Sequence, residues 1–124
     1  MAGTFHNRRV FVSGSTAGIG LALARAFAAE GARLAVNGRD AEKLEAVAAD
    51  LGAQPIAGDL TRPETADDIA QRIGQMWGAL DVLVCNVGSG RSVPPGEETH
   101  EEWLRMFSLN LYPATSLVRA CRPL

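Results

Sequence analysis

The sequence has few cysteines and few aromatic residues, and it has no long apolar run or long run of like charges. Its two cysteines, Cys85 and Cys121, cannot form a disulfide framework and lack metal-site spacing, so we expect buried thiols and no metal. Its 12 basic and 14 acidic residues are spread along the chain, which argues against nucleic-acid binding. No apolar stretch approaches the roughly 20 residues that cross a bilayer, and residues 1–9 lack the apolar segment of a signal peptide. We therefore expect a cytoplasmic protein that does not bind membranes.

The composition that remains is that of one globular domain. Of the 124 residues, 47% are hydrophobic and 21% are charged. Short β-type runs alternate with longer helical runs, which is typical of βαβ units on a parallel sheet. The pattern predicts strands at 10–12, 34–36, 54–57 and 80–85.

Four helices are predicted between and after these strands. The first covers residues 18–30, and the second lies between an N-cap at Asp40 and a terminating Gly52. Capping-box patterns at 61–64 and 99–102 predict the starts of the third and fourth helices. Pro113 falls inside the predicted fourth helix, where it would leave the carbonyl of Leu109 without its usual partner.

A glycine-rich turn, Ser13–Gly20, joins the first strand to the first helix. Unpaired N–H groups at a helix N-terminus favour a pyrophosphate. Gly14 permits a tight turn, Gly18 permits close approach of a phosphate, and Gly20 permits close packing of the helix. The spacing is Gly-x-x-x-Gly-x-Gly, and no Gly-Lys-Ser/Thr follows, so this is not a nucleoside triphosphate loop. The turn predicts dinucleotide binding, although three glycines can also serve only a crowded corner.

Four stretches in register resemble the short-chain dehydrogenase/reductase family. Ser13–Gly20 is similar to the family's Thr-Gly-x-x-x-Gly-x-Gly turn, and Gly58-Asp59-Leu60 to its adenine-binding stretch. Cys85-Asn86-Val87-Gly88 resembles Asn-Asn-Ala-Gly, departing from it at Cys85 and Val87, and Asn110 matches the asparagine of the family's Asn-Ser-Tyr-Lys catalytic set. The resemblance implies a doubly wound parallel sheet of order 3-2-1-4, with a cofactor across the carboxyl ends of the first and fourth strands.

The same resemblance assigns site residues. It implies that Asn110 is catalytic and that the cofactor is bound by Gly14, Ser15, Thr16, Gly18, Ile19, Gly20, Arg39, Asp59, Leu60, Asn86 and Gly88. Where NAD-dependent proteins carry an acid at the end of the second strand, this sequence has Gly38, followed by Arg39. An arginine can pair with a 2′-phosphate, so we expect NADP rather than NAD, unless Arg39 is only a solvated loop charge.

The implied activity is interconversion of a small-molecule carbonyl and an alcohol by hydride transfer. In this family a tyrosine donates the proton, and a lysine four residues later lowers the pKa of that tyrosine. This sequence has one tyrosine, Tyr112, and one lysine, Lys43, and they do not form such a motif. We expect residues 1–124 to be an incomplete Rossmann domain that lacks the catalytic half and is inactive alone. A non-catalytic dinucleotide-binding module and a truncated product remain alternatives.

The remaining expectations concern the surface. His6 and His100 have no partner at meaningful spacing and are expected to be surface residues. Arg91, in the loop after the fourth strand, could contact an acidic or sugar-nucleotide substrate, or it could be a flexible solvated charge. Strand 80–85 is expected to be a sheet edge, with Trp103, Phe107 and Leu111 partly exposed, and we expect a homo-oligomer.

Overall fold

Four parallel strands form the centre of residues 3–124, with helices on both faces. The computed structural model describes residues 3–124; the predicted domain, 1–124, includes two further residues that lie outside the described part. The strands are β1 (Arg9–Val12), β2 (Arg33–Gly38), β3 (Gln54–Ala57) and β4 (Val82–Val84). Their order in the sheet is β3-β2-β1-β4, which confirms the predicted doubly wound sheet of order 3-2-1-4.

Within the described part of the chain, five helices connect and follow the strands. They are α1 (Gly18–Ala29), α2 (Ala41–Leu51), α3 (Thr65–Trp77), α4 (His100–Asn110) and α5 (Tyr112–Cys121). Asp40 caps α2 by accepting from the N–H groups of Glu42 and Lys43, as predicted. Thr99 caps α4 by accepting from the N–H of Glu102, as predicted, but the Glu102 carboxylate bonds to Ser92 and Arg105 instead of completing the capping box.

The core has two layers because side chains alternate across the sheet. Val10 and Val12 of β1 face α1 and α2, whereas Phe11 faces α3 and α5. The first layer also holds Ala24, Leu34, Val36, Leu44 and Ala48. The second holds Ala35, Ile56, Leu60, Ala66, Ile69, Ile73, Leu117 and Cys121. Because both faces of the sheet are covered, residues 10–12 of β1 and 34–36 of β2 are apolar without alternation.

Three predictions about the elements were wrong. The 61–64 pattern is not a capping box: α3 begins at Thr65, and the hydroxyl of Thr61 donates to Asp59 instead. The fourth strand is three residues long rather than six, and Cys85, just beyond it, is exposed rather than buried. The last helix is two helices that meet at Leu111. Pro113 lies in the first turn of α5, where the missing N–H costs no helical hydrogen bond.

Candidate functional site

A cleft of about 630 Å³ opens at the carboxyl ends of the strands, where the strand order reverses between β1 and β4. Open α/β sheets bind ligands in this crevice. Its walls are the glycine turn, the ends of β2 and β3, and the segment after β4. The lining residues are Gly14, Thr16, Ala17, Gly18, Ile19, Asn37, Gly38, Arg39, Gly58, Asp59, Leu60, Thr61, Asn86, Val87, Gly88, Ser89 and Leu109.

The glycine turn presents backbone to this cleft. Gly18 has a φ of +57°, which favours glycine, and a Cβ placed there would meet no atom within 4 Å because the position faces open space. Ile19, next in the turn, is 74% exposed although apolar. The first N–H groups of α1 have no partner within the helix. This part of the wall is therefore open to a ligand that accepts hydrogen bonds.

Gly20 has a different role, because a Cβ at this position would lie 2.1 Å from the carbonyl oxygen of Gly14 and 2.5 Å from Nδ2 of Asn86. The third glycine thus allows α1 to start against the turn itself. Asn86 completes the contact by donating from Nδ2 to the carbonyl of Gly14 at 3.0 Å. The segment after β4 is fixed to the turn at this point.

Two serines of the turn form hydrogen bonds to the neighbouring strands and to the segment after β4. Oγ of Ser13 accepts from the N–H of Asn86 at 2.8 Å and donates to the carbonyl of Val84 at 3.3 Å, linking β1 to β4. Ser15 is fully buried, and its hydroxyl donates to the carbonyl of Val12 and accepts from the N–H of Asn37. The structure therefore does not place Ser15 at the cleft wall.

Asn37 is the site residue that the sequence analysis missed. It is 1% exposed, and its side chain joins the turn to the end of β3. Oδ1 accepts from the N–H of Gly14 at 3.1 Å, while Nδ2 donates to the carbonyls of Ile56 at 2.9 Å and Gly58 at 3.3 Å. A polar residue following the buried run Leu34–Val36 was the available signal, but the predicted strand stopped at Val36.

Charge in the cleft comes from Arg39 and Asp59. Gly38 lies directly beside the turn, since a Cβ there would be 2.6 Å from Cγ2 of Thr16. Arg39 follows it and is exposed. The hydroxyl and N–H of Thr61 donate to Oδ1 of Asp59 at 2.7 and 3.0 Å. These bonds, with smaller contributions from the positive Arg39 and Arg62, lower the pKa of Asp59, so its carboxyl group is ionised at neutral pH.

Asn110 contacts the cleft only through its neighbours. Its Oδ1 accepts from the N–H of Ser89 at 2.8 Å and its Nδ2 donates to the carbonyl of Met106 at 3.1 Å. A Cβ at Gly88 would lie 2.7 Å from this Oδ1. Asn110 therefore ties the segment after β4 to the end of α4, and it does not line the cleft.

The loop beyond Gly88 is attached to α4 through Glu102. This carboxylate accepts from Oγ of Ser92 at 2.9 Å and from Nε of Arg105 at 2.9 Å. The two partners lower the pKa of Glu102 to about 2, with Arg105 the larger cause. Arg105 also donates to the carbonyl of Arg91 at 3.1 Å, while the loop around Arg91 is exposed.

Nine of the predicted cofactor-binding residues thus line one cleft: Gly14, Thr16, Gly18, Ile19, Arg39, Asp59, Leu60, Asn86 and Gly88. Ser15 and Gly20 are buried next to these residues and do not line the cleft. Tyr112 stacks on Phe107, with ring centroids 6.2 Å apart, and does not line the cleft. His6 and His100 are exposed, as predicted.

Comparison with known proteins decides the family. A family profile described as short chain dehydrogenase matches residues 8–124. The chain belongs to the short-chain dehydrogenase family. It is 36% identical to a glucose 1-dehydrogenase of Gluconobacter oxydans across 95% of this chain and 46% of that relative. It is 33% identical to a sorbitol dehydrogenase of Cereibacter sphaeroides across 91% of this chain and 45% of that relative.

Solved structures of short-chain dehydrogenases match the fold closely. L-sorbose reductase from Gluconobacter frateurii, complexed with NADPH and L-sorbose, superposes with a TM-score of 0.92 at 29% identity, over 99% of this chain and 49% of that one. A short-chain dehydrogenase from Burkholderia cenocepacia in complex with NADP gives 0.87 at 27% identity, over 96% and 51% of the two chains. The chain spans about half the length of the relatives it matches.

Two kinds of feature are absent from residues 3–124. No helix in this part of the chain is long and apolar enough to cross a membrane. No three histidine, cysteine, aspartate or glutamate side chains within the same range are grouped to hold a metal ion.

Proposed function

We propose that this short-chain dehydrogenase chain binds NADP in the cleft and supplies the cofactor half of an oxidoreductase that interconverts a small carbonyl compound and an alcohol. The observation that carries the proposal is the convergence of the glycine turn, Arg39 and Asp59 on one cleft at the strand-order reversal. Bound NADP supplies the hydride acceptor or donor of such a reaction. Relatives named for glucose and sorbitol oxidation and a neighbour named for sorbose reduction support a polyol or sugar as the substrate class.

The residues of the cleft fit the parts of this cofactor. The exposed backbone at Gly18 and the first turn of α1 suit a pyrophosphate, because their N–H groups are directed away from the helix. Asp59, held ionised, can accept a hydrogen bond from an adenine amino group. Arg39 is the one cationic side chain among the lining residues that the structure describes, and it suits a 2′-phosphate.

The preference for NADP depends on Gly38 and Arg39 together. A carboxylate at position 38 would repel a 2′-phosphate, and a side chain there would also meet Thr16. The negative charge of Asp59 would repel a 2′-phosphate. Its Oδ1 is already bonded to Thr61, however, and the positive Arg39 lies close enough to lower the pKa of Asp59. We infer that Arg39 decides the preference.

Titration of the chain with NADPH and NADH tests this proposal. NADPH should bind more tightly, and Arg39→Ala should remove most of the difference, because one charge-assisted pair accounts for roughly ten- to a hundredfold in affinity. Arg72→Ala, which removes an exposed arginine of α3 that does not line the cleft, is the matched control and should leave both affinities unchanged. Equal affinities of the unmodified chain for the two cofactors would refute the assignment.

A binding module without chemistry is the second candidate. The observation in its favour is that these 124 residues contain no Tyr-x-x-x-Lys, and that Tyr112 lies on α5 outside the cleft. Cofactor binding is common to both candidates. The catalytic function is therefore proposed for the whole protein, and cofactor binding for this chain.

A further inference from the structure

The hydrogen bonds of Asn37 use every polar atom of its side chain. One acceptor bond reaches the turn after β1 at Gly14, and two donor bonds reach the end of β3 at Ile56 and Gly58. Its own backbone is bonded on both sides by Ser15, through the Ser15 hydroxyl at 2.8 Å and the Ser15 N–H at 2.8 Å. A single buried side chain thus connects the two walls of the cleft.

We propose that Asn37 is a positioning residue that sets the glycine turn against the Asp59 wall, and so sets the affinity for the cofactor. This inference rests on the proposed function. Asn37 borders the cleft, but it acts through Gly14 and Gly58 rather than through a bond to a ligand, because its side chain is 1% exposed and has no unused donor or acceptor group. Gly58 leads directly into Asp59, so displacing it moves the carboxylate that the turn faces.

Only a carboxamide can make this set of bonds from position 37. It offers an acceptor and two donors at the end of a short side chain, whereas an aspartate offers acceptors and a leucine offers neither. The bond to Oδ1 also occupies the N–H of Gly14. The phosphate groups of a cofactor must then be received later in the turn, by the open backbone at Gly18 and the first turn of α1.

The test measures the affinity of the 124-residue chain for NADPH through the fluorescence of the bound cofactor. Asn37→Asp and Asn37→Leu should raise the Kd per folded molecule about ten- to a hundredfold, because a small displacement of a binding wall is that costly. Leu117→Ala is the matched control: it truncates a fully buried side chain of α5 that does not line the cleft, and so lowers stability without touching either wall. Its Kd per folded molecule should equal that of the unmodified chain.

Amide resonances give a second readout that does not depend on the cofactor. Asn37→Asp retains an acceptor for the N–H of Gly14 and loses both donors. The Asp59 amide, which shares a peptide group with the Gly58 carbonyl, should therefore shift, whereas the Gly14 N–H should stay hydrogen-bonded and protected from exchange. Asn37→Leu should change both. If either variant does not fold, Ser15→Ala loosens the same residue more gently, by removing the hydroxyl that accepts from the backbone N–H of Asn37.

The outcomes separate this inference from the function on which it rests. If the unmodified chain binds neither NADPH nor NADH, the proposed function is wrong, and the Gly14 and Asp59 amides still test the connection between the walls. If the chain binds NADPH and the Asn37 and Ser15 variants bind equally well per folded molecule, Asn37 has only a structural role and the inference is overturned.

Discussion

Gly20 shows at the scale of one residue how the turn restricts the sequence. A methyl group at this position would be 2.1 Å from the carbonyl oxygen of Gly14, so either the turn or the start of α1 must move to admit it. Backbone atoms cannot yield as the end of a flexible side chain can. The glycine is therefore required by packing rather than by its φ angle, which is not in the left-handed region.

We predict that Gly20→Ala destabilises the fold by about 1–3 kcal/mol, the usual cost of forcing atoms into a packed site. Gly74→Ala is the control, because Gly74 also lies in a helix but its Cβ would be 3.6 Å from the nearest atom, an ordinary contact. That control should gain about 0.5–1 kcal/mol from helix propensity. Urea unfolding of both variants measures the difference, and a stabilised Gly20→Ala would contradict the structure.

Some residues of the candidate site could be predicted from the sequence, and others could not. The nine cleft residues were predictable because a glycine turn, an arginine after the second strand and an asparagine after the fourth keep a recognisable spacing. The role of Asn37 was not, because it depends on which carbonyls the sheet brings within 3.3 Å of one amide. Ser15 fits the motif by position, yet its hydroxyl is used inside the fold.

At the scale of elements, the boundaries departed from prediction where two local signals compete. Thr61 could have capped α3, but its hydroxyl bonds to Asp59, and α3 starts four residues later. The apolar pattern continues across α4 and α5, so periodicity alone predicts one helix. Helix α4 ends just before Leu111. The carbonyl of Leu111 then accepts from the N–H groups of Ala114 and Thr115 at the start of α5.

The start of β1 is joined to β4 by Arg9 and Asp81. Asp81 accepts from the backbone N–H of Arg9 at 2.8 Å and from its guanidinium group at 2.9 and 3.1 Å. These bonds hold the pKa of Asp81 well below its usual 3.8. Because the folded pKa is the lower one, the pair stabilises the fold above the unfolded pKa, and this contribution is lost as the pH falls toward the folded pKa.

We therefore predict that Asp81→Asn lowers the melting temperature at neutral pH, and that the deficit shrinks as the pH falls below about 4. Asp50→Asn, which alters an exposed carboxylate of α2 outside the observed ion pairs, should change the melting temperature little at any pH. Thermal melts by circular dichroism between neutral and acid pH check both variants. A deficit that does not depend on pH would show that the charge of Asp81 contributes nothing.

At the scale of the whole molecule, two apolar surfaces are exposed. Within residues 3–124 no strand pairs with the far side of β4, and Val82, Leu83 and Val84 are only partly buried. The opposite edge, β3, carries Pro55 and an exposed Gln54, which discourage pairing. The expected exposure on the last helices is confirmed, since Trp103 is 54% exposed and Phe107, Leu111 and Tyr112 are also exposed.

We predict that the 124-residue chain self-associates through β4 and the α4–α5 surface at micromolar concentration. Leu83→Lys should reduce ordered association by placing a charge on the unpaired strand, whereas Gln54→Lys, on the other edge, should not. Analytical ultracentrifugation measures both, and thermal melts of each variant check that folding is retained because Leu83 also packs against the core. A sharp monomer boundary for the unmodified chain, with a cooperative melt, would contradict the prediction.

In the proposed function, this short-chain dehydrogenase chain holds NADP in the cleft between the glycine turn and the ends of β2, β3 and β4. Titration of ¹⁵N-labelled chain with NADP, followed by amide chemical shifts, tests it most directly. We expect saturable shifts concentrated at five residues around the cleft: Gly18, Ile19, Arg39, Asp59 and Gly88. Saturable shifts confined to α2 or to the α4–α5 surface, or no shifts at all, would contradict it.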